Sequence, residues 1–137
     1  MARAKILEQG SLLCRSILSV MFIVFGLNGF FSFIAVPEFH PFMSLLVSSG
    51  YIYVVKLVEV IGGMLLFTRV SRLGLLLLTP IVVNIAAYHY FLDSRNSAIV
   101  FVLITPLLYL VIIDYRQWLA FLISAENVKT ETSSKFL

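Results

Sequence analysis

Cysteine is nearly missing from this chain: Cys14 stands alone among 137 residues. An internal disulfide and a Cys-x-x-Cys pair are both excluded, and with them thiol redox chemistry carried by the chain itself. Histidine is almost as scarce. His40 and His89 are the only two, and they cannot form an i, i+4 ligand pair on one helix, so no metal site is expected. Charge is thin as well, at 12% of residues against about 25% in soluble domains. Gly26-Leu27-Asn28-Gly29 and Gly62-Gly63 follow no strand-like run, so neither reads as a phosphate-binding loop. No serine sits in a context that would make it a nucleophile.

What remains is apolar. Hydrophobic residues make up 61% of the chain and the mean hydropathy is +1.03, which places it among integral membrane proteins. Backbone groups in hydrocarbon must pair within a helix or a closed barrel. Long apolar runs without strict alternation exclude the barrel, so the expected fold class is all-α. Four stretches match the roughly 20 residues that cross about 30 Å of hydrocarbon: residues 12–36, ending at Pro37, then 51–68, 73–92 and 98–113. The fourth is expected to continue past Asp114 as an amphipathic end anchored by Tyr115 and Trp118. The first is too long for a signal-peptide core and no small-residue cleavage site follows it.

Short links make neighbouring spans antiparallel. The expected architecture is therefore a four-transmembrane-helix antiparallel bundle over residues 12–123. Residues 1–11 form a cytoplasmic N-terminal segment and 124–137 a flexible cytoplasmic tail. Between the first two spans, the apolar run 42–47 suits a short helix lying in the membrane interface. With four spans, Arg3, Lys5, Arg15, Arg69, Arg72, Arg116, Lys129 and Lys135 fall on one side and only Arg95 on the other. Both termini are expected on the cytoplasmic side of a multi-pass protein. The same clustering accounts for the net charge of +3 without a nucleic-acid partner.

Within the apolar runs stand five polar side chains: Asn28, Lys56, Glu59, Asn84 and His89. Each charge costs about 2.5–3.5 kcal/mol near the centre of a spanning helix. Lys56 and Glu59, at i, i+3, lie roughly 60° apart on one face and can neutralise each other. The topology brings all five to the mid-to-outer membrane on three helices. As a ligand site, Lys56 or His89 would donate to a ligand oxygen, Glu59 would carry or balance a proton, and the two asparagines would orient a head group. As packing elements, the ion pair would lock the second span against its neighbours and the asparagines would be interhelical glue. Asn84 and His89 are about 140° apart, so they cannot both point straight at one partner. Gly62-Gly63 would allow close helix approach or admit a flat ligand. Thr79 and Thr105, each before a proline, can bond a carbonyl near those the prolines free.

Three stretches carry a resemblance. They are Phe25-Gly26-Leu27-Asn28-Gly29-Phe30, Gly50-Tyr51 through Lys56-Leu57-Val58-Glu59 to Gly62-Gly63, and Leu78-Thr79-Pro80 through Asn84-Ile85 to His89. With Pro37 and Tyr115-Arg116, the chain resembles the DoxX-like family of small four-helix membrane proteins over about residues 15–122. The resemblance implies a bacterial inner membrane and a link to quinone or respiratory redox chemistry, with a quinone as possible ligand. The chain has no haem pair, flavin motif or redox cysteines, so a redox or other membrane-protein partner would supply the path for electrons. An accessory or binding subunit is expected rather than a stand-alone quinone-linked oxidoreductase. A structural or assembly protein is the alternative.

Overall fold

The computed structural model describes residues 2–35, 40–95, 97–117, 119–120 and 123. Pro37 and Glu38, Trp118, and the tail 124–137 with Lys129 and Lys135 lie outside the described residues. The elements are helices throughout, α1 Ala2–Phe31, α2 Pro41–Ser48, α3 Tyr51–Leu65, α4 Ser71–Phe91 and α5 Ala98–Ile113, and no strand occurs among the described residues. The all-α expectation holds.

Helix α1 begins at Ala2 rather than near Leu12. Its first turns are rich in Ala, Lys, Leu, Glu and Gln, which extend a helix well whether or not they are apolar. Its end also differs from the expected stop at Pro37. Ser32 takes a left-handed φ of 51°, and its N–H bonds the Asn28 carbonyl at 2.8 Å, ending the helix with a left-handed cap. Helix α2 forms where the apolar run 42–47 suggests. His40 Nδ1 accepts the Phe42 N–H at 3.3 Å and Pro41 occupies the first turn, where its missing N–H costs nothing. Gly50, at φ 76°, then turns the chain through 89° into α3, a conformation glycine adopts without penalty.

Two helices are long and apolar enough to cross a membrane, α1 over Lys5–Phe31 and α4 over Ser71–Phe91. A third span results if the bent pair α2 and α3 is counted as one. Four full-length spans are not what the helices provide. Helix α3 has 15 residues and α5 has 16, about 22 and 24 Å at 1.5 Å per residue, short of about 30 Å. Thr68 helps to end α3 early: its hydroxyl donates to the Leu65 carbonyl at 2.8 Å and accepts the Val70 N–H at 3.2 Å, a local bonding pattern that competes with the helix. Helix α5 ends in a turn at Asp114, after which helical residues resume at 115–117.

Helix α3 packs between α1 and α4, α5 packs on both α1 and α4, and α2 packs on α3. Glycines set the closeness. A Cβ on Gly63 would meet the Ser19 carbonyl at 3.1 Å, and one on Gly62 would meet the Leu78 side chain at 2.7 Å. The adjacent glycines thus serve opposite neighbours, α1 and α4. No room for a flat ligand remains there. A Cβ on Gly29 would run into the Lys56 stem, and one on Gly26 would meet Val60. These pairings run in opposite chain directions, so α3 is antiparallel to α1, as the contacts of Gly62 and Gly74 make it to α4. Ser19 donates its hydroxyl proton to the Gly63 carbonyl across the α1–α3 contact. Leu18, Phe22, Leu78, Val82 and Leu107 are buried at the centre. Farther toward the N-terminal end of α1, Arg15 pairs with the buried Asp114 at 3.5 Å, tying α1 to the end of α5. Thr79 bonds the Leu75 carbonyl at 2.7 Å, one residue short of the Leu76 carbonyl that Pro80 frees.

Gly74 has the least tolerance of the glycines between α3 and α4. A Cβ there would lie 2.7 Å from the Gly62 carbonyl oxygen and 3.0 Å from Leu65 Cβ and the Leu66 nitrogen, mostly backbone that cannot swing aside. Gly74→Ala is expected to cost about 1–3 kcal/mol through overpacking. Thermal unfolding of the detergent-solubilised protein measures this, and an unchanged midpoint would refute the close contact.

Candidate functional site

The C-terminal end of α1, the start of α3, the end of α4 and the start of α5 enclose a cavity of about 560 Å³. Met43 and Val47 of α2 close one side. Its walls are apolar and partly aromatic, with Phe22, Phe25, Ile52, Ile85 and Leu103 among them, and its polar groups include Asn28, Lys56, Glu59 and His89. Four of the five residues selected from the sequence therefore meet at one site. Asn84 does not: it is exposed on α4 and is not part of the cavity wall. The 140° between it and His89 decides which of the two faces inward.

Lys56 and Glu59 form the charged centre. The ammonium donates to both carboxylate oxygens, at 3.0 Å to Oε1 and 2.8 Å to Oε2. Glu59 is only 3% exposed. The Lys56 side chain retains 20%, its stem lying along α1 where Gly29 leaves space. An ammonium has three N–H donors. With two directed at Glu59, one is left for another acceptor.

Asn28 is committed elsewhere than expected. Its Oδ1 accepts the Ile34 N–H at 2.6 Å and its Nδ2 donates to the Ile34 carbonyl at 3.2 Å. This two-bond clasp folds the chain after α1 back on the helix end, and does so within one chain segment rather than between helices. His89 Nδ1 lies 2.9 Å from the Asp93 carbonyl oxygen. A carbonyl only accepts, so Nδ1 carries the hydrogen, and in the neutral ring Nε2 accepts. Donation to a ligand oxygen thus falls to Lys56, not to neutral His89.

Asp93 organises the rim. Arg95 grips its carboxylate with Nε on Oδ1 and Nη2 on Oδ2, each at 2.8 Å, and Arg95 N–H bonds Oδ1 at 3.1 Å. Tyr88 adds a long contact of 3.4 Å from its hydroxyl to Oδ2, and its ring stands edge-on to His40 at 6.2 Å. The Arg95 hydrogen bonds hold the Asp93 carboxyl at about 2. Sequence reasoning passed over this rim, although Asp-Ser-Arg after a helix is a legible Asx-turn pattern. The Ile34 clasp has no such signal, because its partner is backbone.

Neither a family model, a curated protein nor a solved structure matches this chain.

Removing one partner of a buried pair strands the other charge. Lys56→Met alone is expected to destabilise by about 3–5 kcal/mol, whereas Lys56→Met with Glu59→Gln recovers most of that loss. Denaturant titration of the three proteins in detergent checks the order; equal losses in single and double variants would refute the pairing. The rim titrates separately. Because the folded Asp93 pKa lies below its ordinary 3.8, its stabilising share is complete above about pH 4 and is lost as pH falls through about 2. Carboxyl-carbon NMR should place the Asp93 midpoint near 2, and Arg95→Gln should return it toward the ordinary value.

Proposed function

We propose that this chain is a DoxX-like membrane protein that binds a small, neutral amphipathic ligand with a quinone-like head group and serves as an accessory subunit in respiratory redox chemistry. In this reading α1, α3, α4 and α5 all cross a bacterial inner membrane with both termini cytoplasmic. Helices α3 and α5 cross where the bilayer thins or where flanking residues extend the span.

The observation that carries the reading is the cavity itself: aromatic and aliphatic walls around a charge-neutral Lys56–Glu59 pair. A closed ion pair offers no net charge to an anionic or cationic ligand, and its spare N–H suits a ligand oxygen. His89 Nε2 would accept from a ligand hydroxyl, and Glu59 would hold or release a proton through its contact with Lys56. Asn28 supports the wall instead of orienting the head group. Electrons would travel through a partner protein.

The double variant Lys56→Met/Glu59→Gln separates this from a structural lock, the reading favoured by the closed geometry of the pair. Calorimetric titration with a short-tailed benzoquinone is expected to show binding to the native protein and at least tenfold weaker binding to the folded double variant. Equal affinity in the two would reduce the pair to packing, and no binding to the native protein would overturn the ligand reading.

A further inference from the structure

Asn84 is left over from the cavity, and its position on α4 gives it a different role. Leu73, Leu77, Pro80, Asn84, Ala87 and Phe91 follow one another at spacings of four, three, four, three and four residues. At 100° per residue these six fall within about 80° of one another, and none is buried. The buried residues of α4 (Ser71, Gly74, Leu75, Leu78 and Val82) occupy the opposite side. The outer face of α4 thus carries an apolar seam with a single amide in it.

We infer that this seam joins two copies of the chain, α4 against α4, with Asn84 hydrogen-bonded to Asn84 of the second copy. Three points select a second copy as the occupant. A primary amide has two donors and an acceptor, so it is complementary to itself across a twofold axis, where a residue meets its own counterpart. Copies inserted in one orientation run α4 parallel to α4 and hold residue 84 at one depth. Asn84 lies only about 4.5 Å along the axis from the midpoint of α4, so that with α4 spanning a bilayer water would not reach the amide, and it makes no side-chain hydrogen bond among the described residues.

The spacing supplies the remaining geometry. A 3–4 repeat is the pattern by which two parallel helices interdigitate, and one asparagine in such a seam fixes register and pair formation. Ala87, one turn beyond Asn84, carries little bulk and lets the backbones approach. The pairing leaves the cavity untouched, because His89 and Ile85 face the other way.

Two measurements test the inference. On a Cys14→Ser background, oxidation in native membranes should cross-link Leu73→Cys and Ala87→Cys into dimers but not Ile61→Cys or Val102→Cys, which are exposed on α3 and α5. Förster transfer in detergent should show Asn84→Leu weakening the dimer about eightfold, the loss of two interhelical hydrogen bonds of about 0.6 kcal/mol each. Asn84→Gln, which keeps the amide, should restore it. Cross-linking without preference for the α4 seam, a monomer at every protein-to-detergent ratio, a dimer indifferent to Asn84→Leu, or a different membrane protein captured at position 84 would each overturn it.

Discussion

Helix α3 carries no side chain at positions 62 and 63, and through those two gaps it touches α4 on one side and α1 on the other. Everything near the cavity is placed by that double contact. With α3 held backbone-close to α1, the Lys56 stem has one place to lie, along the notch that Gly29 leaves. Its ammonium then reaches back one turn to Glu59. A bulkier residue at 62 or 63 would push the helices apart and open a path for lipid or water to the pair. The hydrogen bond from Ser19 to the Gly63 carbonyl fixes the sliding position of the two helices, so the charges sit at a set height.

The cavity lies on the N-terminal side of Gly62 and Gly63 along α3. There Phe22, Phe25, Ile52, Ile85 and Leu103 supply aromatic and aliphatic walls, while Gly29 keeps α1 close to Lys56. The bend at Gly50 then lays α2 across one side of the cavity. Two of the ion pairs divide the labour. Lys56–Glu59 lies within one helix and is shaped by the cavity, whereas Arg15–Asp114 links α1 to α5 away from it.

Much of this was legible in residue order, and the failures have physical reasons. The Lys56–Glu59 contact was readable because i, i+3 geometry belongs to the helix and needs no tertiary knowledge. The meeting of Asn28, Lys56, Glu59 and His89 was readable as depth, which alternating helix direction supplies. Azimuth was not: hydropathy runs too uniformly around α4 to tell that His89 faces inward and Asn84 outward. Hydropathy also hid the true start of α1, since a helix can begin in polar sequence. The stop at Ser32 was masked by the stronger signal of Pro37, because a serine in a left-handed cap looks like any other serine. The length of α3 escaped notice because its apolar run continues past the last helical turn, whereas α5 fills the expected residues 98–113 and is short because that run is itself short.

The closed ion pair has an electrical meaning. A single charge carried across a membrane works against about 2.3 kcal/mol per 100 mV. Lys56 and Glu59 together carry no net charge, and their charged atoms are only 2.8 Å apart at the nearest, about a tenth of a 30 Å hydrocarbon thickness. Placed in such a field, the pair feels a weak torque and no net pull, on the order of 0.2 kcal/mol per 100 mV at most. Voltage alone neither draws it out nor drives it in. Only a proton gained or lost at the pair would give the field something to hold.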